Sequence, residues 1–118
     1  MQTLEKPIYD SVLYDIDCTD ALDDAEVILT CAAPAVDPAS GVTFGTPVVN
    51  QAPIRYPVLG RYAPPGKAIQ VLVTGGALPV GESFACYPIR LLLATNINPA
   101  LSVTVCLRLT TGASQCAC

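Results

Sequence analysis

Leu101-Ser102-Val103-Thr104-Val105-Cys106-Leu107-Arg108-Leu109-Thr110 alternates apolar and polar residues without a fault. Leu101, Val103, Val105, Leu107 and Leu109 fall on one side, and Ser102, Thr104, Cys106, Arg108 and Thr110 on the other. A period of two marks a half-buried antiparallel strand whose apolar side faces a core. Just upstream, Ser83 to Thr95 repeats the pattern, with Tyr87, Ile89, Leu91 and Leu93 on one face and Cys86 and Arg90 opposite. Asn96-Ile97-Asn98-Pro99 between them supplies turn residues, so the two runs predict a hairpin.

Outward from that hairpin, eleven prolines and eight glycines punctuate the chain every few residues and leave no room for a long helix. The intervening runs are rich in Val, Ile, Leu and Thr. Ser11 to Asp17 predicts a strand, and Thr19 to Asp24 a polar turn or single helical turn capped by Thr19. Glu26 to Ala32 predicts a strand with Val27, Leu29 and Cys31 on one face. Val42 to Val49 is crossed by Pro47, which implies an edge or a bulge, and Ile54 to Leu59 is interrupted by Pro57. Lys67 to Thr74 points Ile69, Val71 and Val73 one way and Gln70 and Thr74 the other.

About seven short strands, with turn signals roughly every 8 to 12 residues, predict an all-β chain: an immunoglobulin-like antiparallel β-sandwich. The chain has no tryptophan, so the Cys-Trp-Cys core of antibody domains is missing and the expectation concerns the architecture alone. Residues 1–112 are expected to form a single domain and 113–118 a flexible tail.

Of the 118 residues, 52% are hydrophobic and 14% charged, against roughly 25% charged in an average soluble domain. A chain this poor in charge either buries much of its surface or hands part of it to partners. Every apolar run is broken before the roughly 18 residues that a membrane helix needs. Residues 1–37 hold nine acids and one base, Lys6, whereas residues 38–118 hold one acid, Glu82, and five bases. This split allows one copy's acidic end to meet another copy's basic side, or places the two groups on opposite solvated faces. Five dispersed bases make no nucleic-acid footprint.

Met1 to Lys6 lacks the basic start and apolar core of a secretion signal. The six cysteines, Cys18, Cys31, Cys86, Cys106, Cys116 and Cys118, are therefore expected to stay reduced in a cytosol and act as small apolar residues, although their even number also admits a disulfide framework. The absence of histidine removes the usual general base and the usual nitrogen ligand for zinc.

The acidic stretch from Tyr14 to Glu26 is the main candidate for chemistry. Asp15, Asp17 and Thr19 resemble the DxDxT loop of haloacid-dehalogenase-type phosphatases, in which the first aspartate attacks phosphorus and the second serves as acid and base. That chemistry needs a parallel α/β scaffold, which the proline spacing denies. Counted from Asp15, oxygen-bearing side chains stand at EF-hand positions one, three, five, nine and twelve: Asp15, Asp17, Thr19, Asp23 and Glu26. Leu22 takes the apolar eighth place, but Asp20 stands where the sharp turn wants glycine. The alternative to both is an acidic, solvated turn. Cys116-Ala117-Cys118 could chelate a soft metal, yet two thiolates alone make no structural zinc site. No catalytic residue, cofactor or metal site is assigned, and the chain reads as non-enzymatic.

Two segments taken together carry a resemblance. The first is Lys6-Pro7, then Tyr14-Asp15-Ile16-Asp17-Cys18-Thr19-Asp20-Ala21-Leu22, then Asp24 before Val27-Ile28. The second is Ile69-Gln70-Val71-Leu72-Val73-Thr74-Gly75-Gly76, followed by Gly81-Glu82-Ser83-Phe84-Ala85-Cys86-Tyr87. In order and spacing over roughly residues 5–110, the chain is similar to the small tailed-phage virion proteins called fiber-tail adaptors. Cys18 and Ala21 depart from that pattern, standing where tryptophans are common.

The resemblance implies a structural component of a tailed bacteriophage virion, an adaptor at the neck or tail linking tail or fiber proteins. Its implied partners are other virion proteins in a multicopy homo-oligomeric ring or array, without nucleic acid or membrane, and its implied place is the virion after synthesis in the host cytoplasm. A capsid decoration protein and a calcium-assisted β-sandwich binding module are the alternatives. The Pro-rich stretch Ala52 to Lys67, with Arg55, Tyr56, Arg61 and Tyr62, is the expected contact loop, since Arg and Tyr are enriched at interfaces.

Overall fold

The computed structural model describes residues 3–56 and 61–111, of which 55, 56, 61 and 62 by backbone only. Among these residues the chain runs through β1 (Thr3–Pro7), β2 (Val12–Asp17), β3 (Ile28–Cys31), β4 (Val42–Phe44), β5 (Val48–Val49), β6 (Ile54–Tyr56), β7 (Arg61–Ala63), β8 (Ala68–Gly75), β9 (Phe84–Thr95) and β10 (Leu101–Thr110). Single 3-10 turns at Thr19–Ala21 and Pro38–Ser40 interrupt them. One sheet has the order β1-β10-β9-β3; the second has the order β2-β8-β4, with β5 also on β8; β6 and β7 pair with each other.

The hairpin expected from the two alternating runs forms in register from Leu101↔Leu93 to Thr110↔Phe84. Its inward side chains, Ile89, Leu91, Leu93, Val105, Leu107 and Leu109, pack in one cluster with Ile16, Ile69, Val71 and Val73 of the second sheet. Two sheets sharing one core make an all-β sandwich-like fold. Burial of each such side chain contributes about 1.5–3 kcal/mol, so this alternation is the main source of stability.

The structure corrects several details. The fold is not purely antiparallel, because β1 pairs with β10 in parallel, from Thr3↔Cys106 to Pro7↔Thr110. This strand escapes a hydropathy pattern because one of its two inward residues, beside Leu4, is the fully buried Lys6. In β3 the register shifts between Ile28 and Thr30. That bulge buries Ile28 and leaves Leu29 60% exposed, so Leu29 does not share an inward face with its neighbours. The run from Val42 to Val49 is split at Gly45-Thr46-Pro47 into β4 and β5, both paired with β8. Thr19 opens the 3-10 turn instead of capping it: the Asp17 carboxylate accepts from the Thr19 amide at 2.9 Å and from its hydroxyl at 2.5 Å. With β1 and β7 added and one run divided, the strands exceed the seven expected. The end of the run to Leu59 and the tail 113–118 lie outside the described residues.

Candidate functional site

The acidic segment from Tyr14 to Glu26 leaves β2, makes the 3-10 turn and enters β3 at one end of the sandwich. At its centre sits an internal cation. Lys67, just before β8, is buried, and its Nζ donates to the backbone carbonyls of Asp23 at 2.7 Å, Asp24 at 3.1 Å and Glu26. An ammonium has three donors, and three carbonyls meet them. Glu26 is buried beside it. Its Oε1 accepts from the Asp23 amide at 3.1 Å, and its Oε2 from the Thr95 hydroxyl at 2.5 Å and Asn98 Nδ2 at 2.8 Å. The Thr95 hydrogen bond above all, then the Asp23 amide, Asn98 and the Lys67 charge, hold the Glu26 carboxyl below its ordinary value.

Two asparagines complete this clasp. Asn96 accepts from the Val27 amide at 2.9 Å and donates to the Ala25 carbonyl at 3.1 Å, tying the acidic turn to the β9–β10 turn. Asn50 donates to the carbonyls of Ala52 and Pro64, both at 2.9 Å, and accepts from the amides of Lys67 and Ala68 at 3.1 and 2.9 Å. The base of the β6–β7 hairpin is therefore anchored at the same end.

The five candidate calcium ligands do not converge. Asp15 accepts from Gln70 Nε2 at 3.0 Å across the β2–β8 pair, Asp17 folds back on Thr19, Asp23 is exposed, and Glu26 turns inward to Thr95 and Asn98. Among the described residues no group of three or more acidic or thiol side chains is placed to hold a metal ion. The backbone carbonyls of Asp23, Asp24 and Glu26 are taken by Lys67. The Asp15 and Asp17 carboxylates are each engaged by neighbours, and the buried Cys18 that follows has its thiol pushed up to about 12, by burial first and then by Cys31 and Asp17.

The opposite end holds a second buried lysine. Lys6 Nζ donates to the carbonyls of Pro7, at 2.8 Å, and Gly75, linking β1 of one sheet to the end of β8 in the other. Burial pulls its pKa down, partly offset by Asp10. Lys6 and Lys67 thus spend their charge inside the molecule and add nothing to a basic surface. Sequence reading missed both lysines as binding groups. For Lys6 the only signal is its place in the alternation Leu4-Glu5-Lys6; for Lys67 there is none.

Two surface features remain. On the outer side of the second sheet, Leu13 stands directly opposite Leu72, and both are exposed, as is Val48 on β5. On the outer side of the first sheet, an open groove of about 250 Å³ is lined by Ala35, Val36, Pro88, Arg90 and Thr104. In the expected contact loop, Arg55 pairs with Tyr62 and Tyr56 with Arg61 along the β6–β7 backbone. The side chains of these four, residues 57–60, and the Cys116-Ala117-Cys118 chelation candidate lie outside the described residues.

No family model matches this chain, and no curated protein matches it. The described residues show buried charges arranged as structural clasps, and apolar side chains left on an outer sheet face.

Proposed function

We propose that the protein is a non-enzymatic structural component of a tailed bacteriophage virion, an adaptor at the neck or tail that joins tail or fiber proteins. The observation that carries this reading is a contact between the two segments that bear the resemblance. Lys6, from the first, donates to the carbonyl of Gly75, from the second. Gly75 and Gly76 turn there with φ of 81° and 139°, which makes room for the close approach. The two signatures therefore belong to one structural unit.

The strand order supports an immunoglobulin-like version of the fold. In that arrangement β2-β8-β4 takes the places of strands B, E and D, and β3-β9-β10 those of C, F and G, with β1 added beside β10. The exposed pair Leu13 and Leu72 offers an apolar patch that a neighbour in a multicopy ring or array would cover.

Purified particles carrying a labelled copy of the protein test the reading by electron microscopy. Label at the neck or tail is the expected result. Label spread over the capsid faces would assign a decoration role instead, and particles without label would sink both. A Leu13→Lys, Leu72→Lys double variant should fold, by circular dichroism, yet fail to enter particles.

A further inference from the structure

The register of β9 and β10 sets Cys86 opposite Arg108 and Cys106 opposite Pro88, so the two cysteines are diagonal neighbours on the outward face of the same sheet. Burial first, and then the neighbouring Cys86, push the Cys106 thiol up, so the two side chains sense each other. Cys86 is exposed and Cys106 half-buried, so one sulfur meets solutes while the other waits behind it. Arg108, across from Cys86, is fixed between Glu5 at 3.4 Å and the Phe84 ring at 4.7 Å, and its buried Nε has no hydrogen-bond acceptor. An exposed thiol is open to exchange with solutes, whereas a buried one is inert. Burial pushes the thiols of Cys18 and Cys31 up too, to about 12 and about 11, and among the described cysteines Cys86 alone is exposed.

We propose that Cys86 and Cys106 form a reversible redox pair, a modification site that closes to a cross-strand disulfide by exchange with a low-molecular-weight disulfide such as oxidised glutathione. The Cys86 thiolate attacks one sulfur of oxidised glutathione, forming a mixed disulfide and releasing one glutathione thiolate. The Cys106 thiolate then attacks the Cys86 sulfur, breaking the mixed disulfide and releasing the second. Two protein thiols become one disulfide, one oxidised glutathione becomes two reduced molecules, and the two cysteine protons pass to them. Diagonal positions lie about 7–8 Å apart at Cα in a flat sheet, beyond the usual span of a disulfide. Closing the bond therefore strains the pair, and strained disulfides are the readily reduced ones. The site acts as a switch on the longest hairpin, open in a reducing cell and closed outside it.

The test equilibrates the full-length reduced protein in glutathione buffers of graded poise, quenches with acid, alkylates, and maps non-reduced peptides by mass spectrometry. The expected product is the Cys86 peptide joined to the Cys106 peptide, reversed by dithiothreitol. Cys106→Ser should arrest the reaction at a glutathione adduct on Cys86. A native chain in which Cys86 stays a free thiol, keeps the glutathione adduct, or joins any other cysteine overturns the proposal.

Discussion

The ammonium of Lys67 donates to the carbonyl of Asp23 at 2.7 Å, across a sequence separation of 44 residues. Together with the carbonyls of Asp24 and Glu26, this contact shapes the acidic turn around a cation that the chain itself supplies. Lys67→Met should cost about 2–4 kcal/mol, because it strands buried acceptors without a donor. Urea denaturation at neutral pH measures the loss, and a variant as stable as the wild type would refute the role. Calcium at millimolar concentration should leave the melting temperature of the wild type unchanged.

Acid should loosen the same clasp through Glu26. Hydrogen bonding, Thr95 foremost, holds its folded-state carboxyl below the ordinary 4.5. Below that value the unfolded chain binds more protons than the folded one, so stability falls with pH. The contribution is complete above 4.5 and is lost as pH drops through the depressed folded value. Urea midpoints followed from about pH 6 to pH 3 should decline less steeply in Glu26→Gln than in the wild type. Parallel slopes would assign the acid sensitivity to other carboxylates.

Thiol reactivity should rank the described cysteines by their surroundings. Cys18, buried and with its thiol pushed up to about 12, carries almost no thiolate at neutral pH. Iodoacetamide pulses read by peptide mass spectrometry should label the exposed Cys86 first and Cys18 only under unfolding conditions. Early modification of Cys18 in the folded protein would contradict its burial.

Two substitutions separate backbone strain from core packing. A Cβ added to Gly75 would lie 2.9 Å from the Gly41 carbonyl oxygen, at a φ of 81°. Gly75→Ala should cost about 1–3 kcal/mol and also disturb the Lys6 contact. Leu107→Ala, at a position with no exposed surface, should cost about 2–5 kcal/mol. Differential scanning calorimetry compares both with Val48→Ser, an exposed site expected to stay within about 0.5 kcal/mol.

What the sequence revealed of the fold follows from what each residue had to say locally. Ile89, Leu91, Val105 and Leu107 announce their face because nothing interrupts their alternation, and β8 is legible for the same reason. β1 was invisible because Lys6 enters the core as a charged residue, which no hydropathy pattern anticipates. Its parallel pairing with Cys106 to Thr110 depends on a partner at the far end of the chain. Leu29 was misplaced because a bulge changes parity without a mark in the sequence. In the candidate site, the carboxylates of Asp15, Asp17 and Glu26 were easy to see, but their partners Gln70, Thr95 and Asn98 are distant in sequence. Spacing therefore suggested a ligand set where the fold builds separate hydrogen bonds.

The parallel pairing of Thr3 with Cys106 has a consequence for how the protein is made. β1 must wait for β10 before it can dock. Until β10 emerges, Leu4 has no Leu107 to pair with, and the sheet has an open side. Contacts that span nearly the whole chain are slow to form because their loop entropy is spent before any packing is gained. The sandwich closes only after synthesis has passed Thr110.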